Sequence, residues 1–171
     1  MKRSSVRAKG KEFEKAVGKR LGVWWWGEPF PRAYGSGSST TLSKGDVFQG
    51  GDLYVPKNFP WSVECKAQEG WTLDSMFVGR FKLLEFWWEQ TCRDAEKVKK
   101  RPMLVFTRNF APVYILVRSL DTVLEVVPVT INRCIIRLCE DGVTICIFEQ
   151  FLELVIPGRC VEESGEESVV L

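Results

Sequence analysis

The chain has no histidine. That absence removes the side chain most often used as a general base near neutral pH, so any hydrolysis has to rest on carboxylates, a lysine or a metal ion. There is also no Cys-x-x-Cys pair. The six cysteines, Cys65, Cys92, Cys134, Cys139, Cys146 and Cys160, are expected to be buried free thiols in a reducing compartment. A zinc site drawn from Cys134, Cys139 and Cys146 would need a fourth ligand at an unworkable spacing. No apolar run approaches the roughly 18 residues that a membrane span requires. The opening MKRSSVRAKGKEFEK has no apolar stretch behind its charges and does not read as a secretory signal. No membrane association and a cytoplasmic location, in whichever cell makes the protein, are expected.

What is present fits one globular domain. The 171 residues, 45% hydrophobic and 27% charged, are enough for one proper core and too few for two large ones. A net charge of only +2 hides an uneven spread. Lys2, Arg3, Arg7, Lys9, Lys11, Lys15, Lys19 and Arg20 crowd the start against Glu12 and Glu14, while the end, VEESGEESVVL, is acidic. A basic arm beside a globular body suggests a polyanionic partner, or else a solvated terminus.

Phe13, Val17 and Leu21 recur every four residues, which predicts an amphipathic helix from Gly10 to Leu21 ended by Gly22. VWWW (residues 23–26) reads as a short strand. The polar segment RAYGSGSSTTLSKGDVFQGG reads as a flexible loop. DLYV and WSVECKA read as two strands joined by a turn through Pro56 to Pro60. Leu73 to about Val98 reads as a helix with Phe77, Phe81, Leu84 and Trp88 on one stripe. RPMLVFTRN and VYILVRS read as further strands, RCIIRLCEDGVTICIFE as a hairpin turning at Asp141–Gly142, and EQFLELV as a short helix. This alternation predicts an α/β fold with a mixed central sheet flanked by helices and an added C-terminal β-hairpin. The expected division is a core with a basic arm over 1–120, an extension packed on it over 121–160, and a disordered acidic tail over 161–171.

Candidate chemistry is concentrated between Gly50 and Gln68. With the turn centred on Asn58, Asp52 falls directly opposite Glu64 in an antiparallel hairpin, where facing Cβ atoms lie about 5 Å apart. Lys66 shares the face of Glu64 because strand side chains alternate with period two, and Leu53, Val63 and Cys65 point into the core. One reading is a surface ion pair of Lys66 with a carboxylate, worth about 0–1 kcal/mol. The other is a site for a hard divalent cation such as Mg²⁺, which takes one or two carboxylates and keeps several waters. The backbone carbonyl of Cys65, between Glu64 and Lys66, is a candidate further ligand.

These residues resemble the PD-(D/E)xK nuclease signature, and the wider pattern resembles the archaeal-type Holliday junction resolvases. KGKEFEK is similar to the KGxxxER opening of those enzymes, and PRAYGSG to their R-x-x-G-S segment. GGDLYV and WSVECKA resemble the strands carrying their Asp and Glu-x-Lys, GRFKLLEFWWE the following helix, and RPMLVF the next core strand. The resemblance covers roughly residues 9–118 in the right order; residues 120–171 have no counterpart. Compact size and the extra C-terminal segment suit a phage-encoded member.

The resemblance implies a restriction-endonuclease-like core and Mg²⁺-dependent phosphodiester hydrolysis, with Mn²⁺ able to substitute. It implies Asp52 and Glu64 as metal ligands, with Glu14 (or Glu12 in another helix register) reaching the same site, and Lys66 orienting or deprotonating the attacking water. A loop serine, Ser36, with Ser38 and Ser39 as alternatives, would contribute to activity. Arg32, Ser36, Ser38 and Gln68, with Lys2, Arg3, Arg7, Lys9 and Lys11, would contact DNA. The implied partners are four-way junction DNA and a second copy of the chain, since a two-fold junction needs two nicks; Phe81, Phe86, Trp87 and Trp88 are candidates for that contact, or for core. Two alternatives stay open: a nuclease of the same superfamily cutting duplex, flap or single-stranded DNA, and a non-catalytic DNA-binding module.

Overall fold

The computed structural model describes residues 3–33, 47–74, 82–118, 136–138 and 143–157. Helix α1 spans Arg3–Trp26, strands β1 (Val47–Gly50) and β2 (Leu53–Pro56) form a hairpin, and β3 (Trp61–Ala67) follows. Helix α2 (Lys82–Lys97) leads to β4 (Arg101–Thr107) and β5 (Tyr114–Arg118), then β6 (Ile136–Leu138), β7 (Val143–Ile147) and helix α3 (Phe148–Leu154). The main sheet has five strands in the order β3-β4-β5-β7-β6. β3 and β4 are parallel, joined through α2, and all other neighbours are antiparallel. The predicted mixed sheet and α/β class are therefore observed, and β7 pairs with β5 inside the main sheet.

Period-two alternation divides the core between two faces. Val63, Cys65, Met103, Val105, Ile115, Val117 and Cys146 pack with Val17 and Leu21 of α1 and with Phe148 and Phe151 at α3. Leu104, Phe106, Leu116 and Ile145 pack with Leu84 and Trp87 of α2. Helices on both faces of a partly parallel sheet are a stable three-layer solution because each strand buries both of its sides.

Two expectations about the first helix are corrected. It does not end at Gly22, and residues 23–26 are its last turn rather than a strand. The physical reason is a close chain return. A Cβ on Gly22 would lie 2.2 Å from the Glu28 carbonyl oxygen and one on Gly18 2.5 Å from that of Phe30, so glycine at both positions lets residues 28–30 lie against the helix. The helix stops at Gly27, with φ of 90°, whose N–H donates to the Val23 carbonyl at 3.1 Å, a left-handed C-terminal cap. Trp24 and Trp25 then meet Trp61, Phe59 and Phe151 as tilted and edge-to-face ring pairs, arrangements that aromatic quadrupoles favour.

The stripe of α2 also differs in register. Its buried residues are Leu84, Trp87, Thr91 and Ala95, spaced as a 3.6-residue period requires, so Trp87 is core and Trp88 lies at the border. Phe77, Phe81, Asp141 and Gly142 lie outside the described residues.

Gly22→Ala is expected to lower stability by about 1–3 kcal/mol through overpacking, whereas Gly10→Ala, which meets nothing within 4 Å, should be neutral or stabilising by about 0.5–1 kcal/mol. Urea denaturation of the two variants checks both.

Candidate active site

The site forms where a turn is pressed against the outer edge of β3. In the β1–β2 hairpin Gly50 pairs with Leu53, leaving Gly51 and Asp52 as a two-residue turn. Gly51 has φ of 77°, and a Cβ there would fall 2.2 Å from the Val63 carbonyl oxygen, so both the turn and the approach require glycine. A single parallel bridge links Gly51 to Val63. The Asp52 N–H donates to the Val63 carbonyl at 2.8 Å, and the Cys65 N–H donates to Asp52 Oδ2 at 2.8 Å.

The hairpin expected between β2 and β3 does not form, so Asp52 is not the cross-strand partner of Glu64. One edge of β2 is taken by β1. On the other, Tyr54 N–H donates to the Pro31 carbonyl and Ala33 N–H to the Asp52 carbonyl, each at 2.8 Å. The inner edge of β3 is taken by β4. Asp52 still arrives beside Glu64, by way of the turn.

Glu64 and Lys66 do share a face, as alternation predicts, and that face lies under α2. Lys66 Nζ donates to Glu64 Oε1 at 2.6 Å, with only 12% of the Glu64 side chain exposed. Gln90 of α2 joins them: its Nε2 donates to Glu64 Oε1 at 3.4 Å and its Oε1 accepts from Lys66 at 3.5 Å. From α1, Glu14 faces Asp52 closely enough to act on its ionisation and accepts from Arg32 Nη1 at 2.9 Å. Arg32 is held next to Asp52 by its bridge to Leu53.

Electrostatics mark Asp52 as the strained member. Burial first, and then the charges of Glu64 and Glu14, push its carboxyl from the ordinary 3.8 up to about 7, against the lowering effects of the Cys65 N–H and Lys66. Burial and the same three carboxylates raise the Cys65 thiol well above its ordinary value, so it stays protonated and is no nucleophile. A strand residue sends its N–H and C=O off the same edge; since the Cys65 N–H reaches Asp52, its carbonyl leaves the strand at that same outer edge.

Among the described residues no group of three or more His, Cys, Asp or Glu side chains is gathered as a ready metal cage. Glu14 is engaged by Arg32 and Glu64 by Lys66. The donors nonetheless fit a hard divalent cation: two carboxylates and a backbone carbonyl at one strand edge, all oxygen, including a buried carboxyl that the charges around it disfavour in the ionised form. Asp52, Glu64 and the Cys65 carbonyl would hold such an ion, with Glu14 beside them.

The remaining candidates scatter. Arg7 and Lys11 are exposed on α1, continued at the same four-residue spacing by Lys15 and Lys19, so the basic start is a helical face. Lys9 turns inward to Glu69 at 3.1 Å and Asn109 at 2.6 Å. Gln68 is exposed just beyond β3. Arg3 opens α1; Lys2, Ser36, Ser38 and Ser39 lie outside the described residues. Sequence reasoning missed Gly51 and Gln90. The only signal for Gln90 was a polar residue three positions after Trp87, bordering the buried stripe of α2.

A sheet edge carrying Asp, Glu-x-Lys and a helix glutamate, on an α/β core, is the arrangement of the PD-(D/E)xK nuclease class. Residues 5–154 match the family described as "Phage putative PDDEXK endonuclease", and the chain belongs to that family. No curated protein and no solved structure matches the chain. No helix among the described residues is long and apolar enough to cross a membrane.

In metal-free protein Asp52 binds its proton more tightly when folded than when unfolded, so its contribution to stability is fully present below about pH 4 and is lost as pH rises to about 7. Asp52→Asn should therefore raise the melting temperature in EDTA at pH 8 by several degrees and have little effect at pH 4. Adding Mg²⁺ at pH 8 should stabilise the unaltered protein and leave Asp52→Asn unmoved. Thermal melts with and without the ion check both signs.

Proposed function

We propose that the protein is a Mg²⁺-dependent endodeoxyribonuclease that resolves four-way DNA junctions by paired nicks, working as a homodimer. The observation that carries the nuclease part is the seating of Asp52 on the β3 edge by the Cys65 N–H, 2.8 Å away, beside Glu64 and Lys66. The junction specificity rests on the ordered resemblance between residues 9 and 118, and the dimer on the two-fold symmetry of such a substrate.

When bound, a divalent ion supplies charge neutralisation at the phosphate and a more acidic water. Asp52 and Glu64 fix where that charge sits. Lys66, 2.6 Å from Glu64, orients the attacking water and offsets negative charge building on the phosphate oxygens. Gln90, bonded to both Lys66 and Glu64, holds the ammonium on the phosphate side of the strand. Arg32 keeps Glu14 aligned. The exposed cations Arg7, Lys11, Lys15 and Lys19 on α1 bind backbone phosphates without reading sequence, and that affinity falls steeply with salt. No step needs a histidine.

The test is cleavage of a synthetic four-way junction against a linear duplex of equal length, with Mg²⁺ or EDTA. Symmetric nicks confined to the junction and to Mg²⁺ are expected. Asp52→Asn and Glu64→Gln should each lose at least about 100-fold in rate, the scale for removing one electrostatic partner of a transition state, while junction binding survives. Equal rates on both substrates would overturn junction selectivity in favour of a duplex-cutting nuclease. Absence of metal-dependent cleavage of any DNA would leave a binding module.

Gln90→Ala should lower kcat about tenfold with KM little changed, because it acts through the position of Lys66 and Glu64. Steady-state kinetics on the preferred substrate separates the two parameters.

A further inference from the structure

The connection between β4 and β5 carries a phenylalanine entirely in solvent. Phe110 has a relative exposure of 107%, against 57% for Phe86 and 44% for Trp26, and its φ is 60°. Ala111 N–H donates to the Arg108 carbonyl at 3.3 Å, which makes residues 108–111 a tight turn with Phe110 in third place. A left-handed residue at that place is normally glycine or asparagine. A bulky side chain is held there against its backbone preference, a form of strain that gathers at functional sites.

The turn beneath it is braced. Asn109 N–H donates to Glu69 at 2.9 Å, and Lys9 of α1 bonds both Glu69 and Asn109. Thr107 Oγ1 stands within donating distance of the Arg108, Ala111 and Pro112 carbonyls, one of which it can serve at a time, and the Arg108 guanidinium lies 5.8 Å over the Trp71 ring. Phe110 is thus presented on a fixed base.

Its place is close to the candidate site. Gln68 N–H donates to the Thr107 carbonyl at 3.1 Å where β3 and β4 end together, and Lys66 is in register with Phe106. The turn therefore begins just beyond the strand end that carries Glu64 and Lys66. Along α1, Lys9 at the turn and Glu14 at the site are separated by about 7.5 Å of helix axis. Arg108 and Lys9 stand at the turn, and Glu69, on which both act, offsets one of their two charges. An exposed aromatic ring on a turn of net positive charge, next to a phosphodiester-cutting centre, suits a nucleobase: rings offer sequence-tolerant stacking to unpaired bases, or wedge between steps of a kinked duplex.

We propose that Phe110 stacks on an unpaired or unstacked base of the DNA beside the cut, so that the enzyme senses disrupted stacking. This deepens the nuclease reading and rests on it.

The experiment uses the full chain in EDTA with three DNAs carrying 2-aminopurine: a single strand, a branch point and an unbroken duplex. Anisotropy gives Kd, and quenching of the 2-aminopurine reports stacking. Phe110→Ala and Phe110→Gly should each weaken binding to the single strand and the branch about tenfold, as loss of one stacked base does, and abolish the quench. Phe110→Trp should keep both, and duplex affinity should change less than twofold. Phe110→Gly should melt no lower than the unaltered protein, since glycine relieves the left-handed strain, so its lost binding is not lost folding. If Phe110→Ala keeps affinity and quench while the unaltered protein cuts DNA, stacking is overturned and the nuclease reading stands. A concentration-dependent dimer that Phe110→Ala dissolves without loss of DNA binding also overturns it, in favour of self-association. If the unaltered protein binds no DNA, both readings fall.

Discussion

Gly51 lies so near β3 that a methyl group in place of its hydrogen would overlap the Val63 carbonyl, and the whole site depends on that approach. The turn it permits brings the Asp52 N–H to Val63 and the Asp52 carboxylate to the Cys65 N–H. The Asp52 carbonyl then anchors Ala33, which places Arg32, and Arg32 holds Glu14. Groups far apart in the chain are thus set by a succession of backbone contacts, each of which fixes the next. Side-chain chemistry enters only after backbone geometry has delivered the residues.

That delivery works against stability at neutral pH. Among the described residues three carboxylates lie near one strand edge, Glu64 bonded to Lys66, Glu14 bonded to Arg32, and Asp52 bonded to a backbone N–H. Burial and the neighbouring charges of Glu64 and Glu14 outweigh the Cys65 N–H and Lys66, so the Asp52 carboxyl is pushed up to about 7. Proteins commonly hold such unfavourable charge at functional sites and offset it in the core. Here the offset is visible on the α1 face, where Trp24, Trp25, Phe30, Phe59, Trp61 and Phe151 make a continuous set of ring contacts.

The sequence made some of this legible and hid the rest for identifiable reasons. Glu64 and Lys66 could be placed on one face, with Val63 and Cys65 opposite, because strand alternation is local and strict. Asp52 was placed beside Glu64 with the wrong pairing, since two strands separated by a short turn look like a hairpin unless it is known that other segments have claimed their edges. Gly22 passed for a helix end because its actual partners, Glu28 and Phe30, approach it only in the folded chain. The tryptophans of residues 24 and 25 favour strands by propensity, and tertiary packing overrode that preference. Gln90 carried no pattern at all, as its role arises from the packing of α2 over β3. The α/β class, by contrast, followed from the alternation of element types, which survives errors of a turn or a register.

The outer margin of β3 has one more property. Exposed strand margins are templates on which another chain can add itself, the route to aggregation. Here a docked glycine turn occupies the backbone at Val63 and Cys65, so another strand could pair there only by displacing it. The contact that seats Asp52 thus also closes this stretch of strand to unwanted pairing.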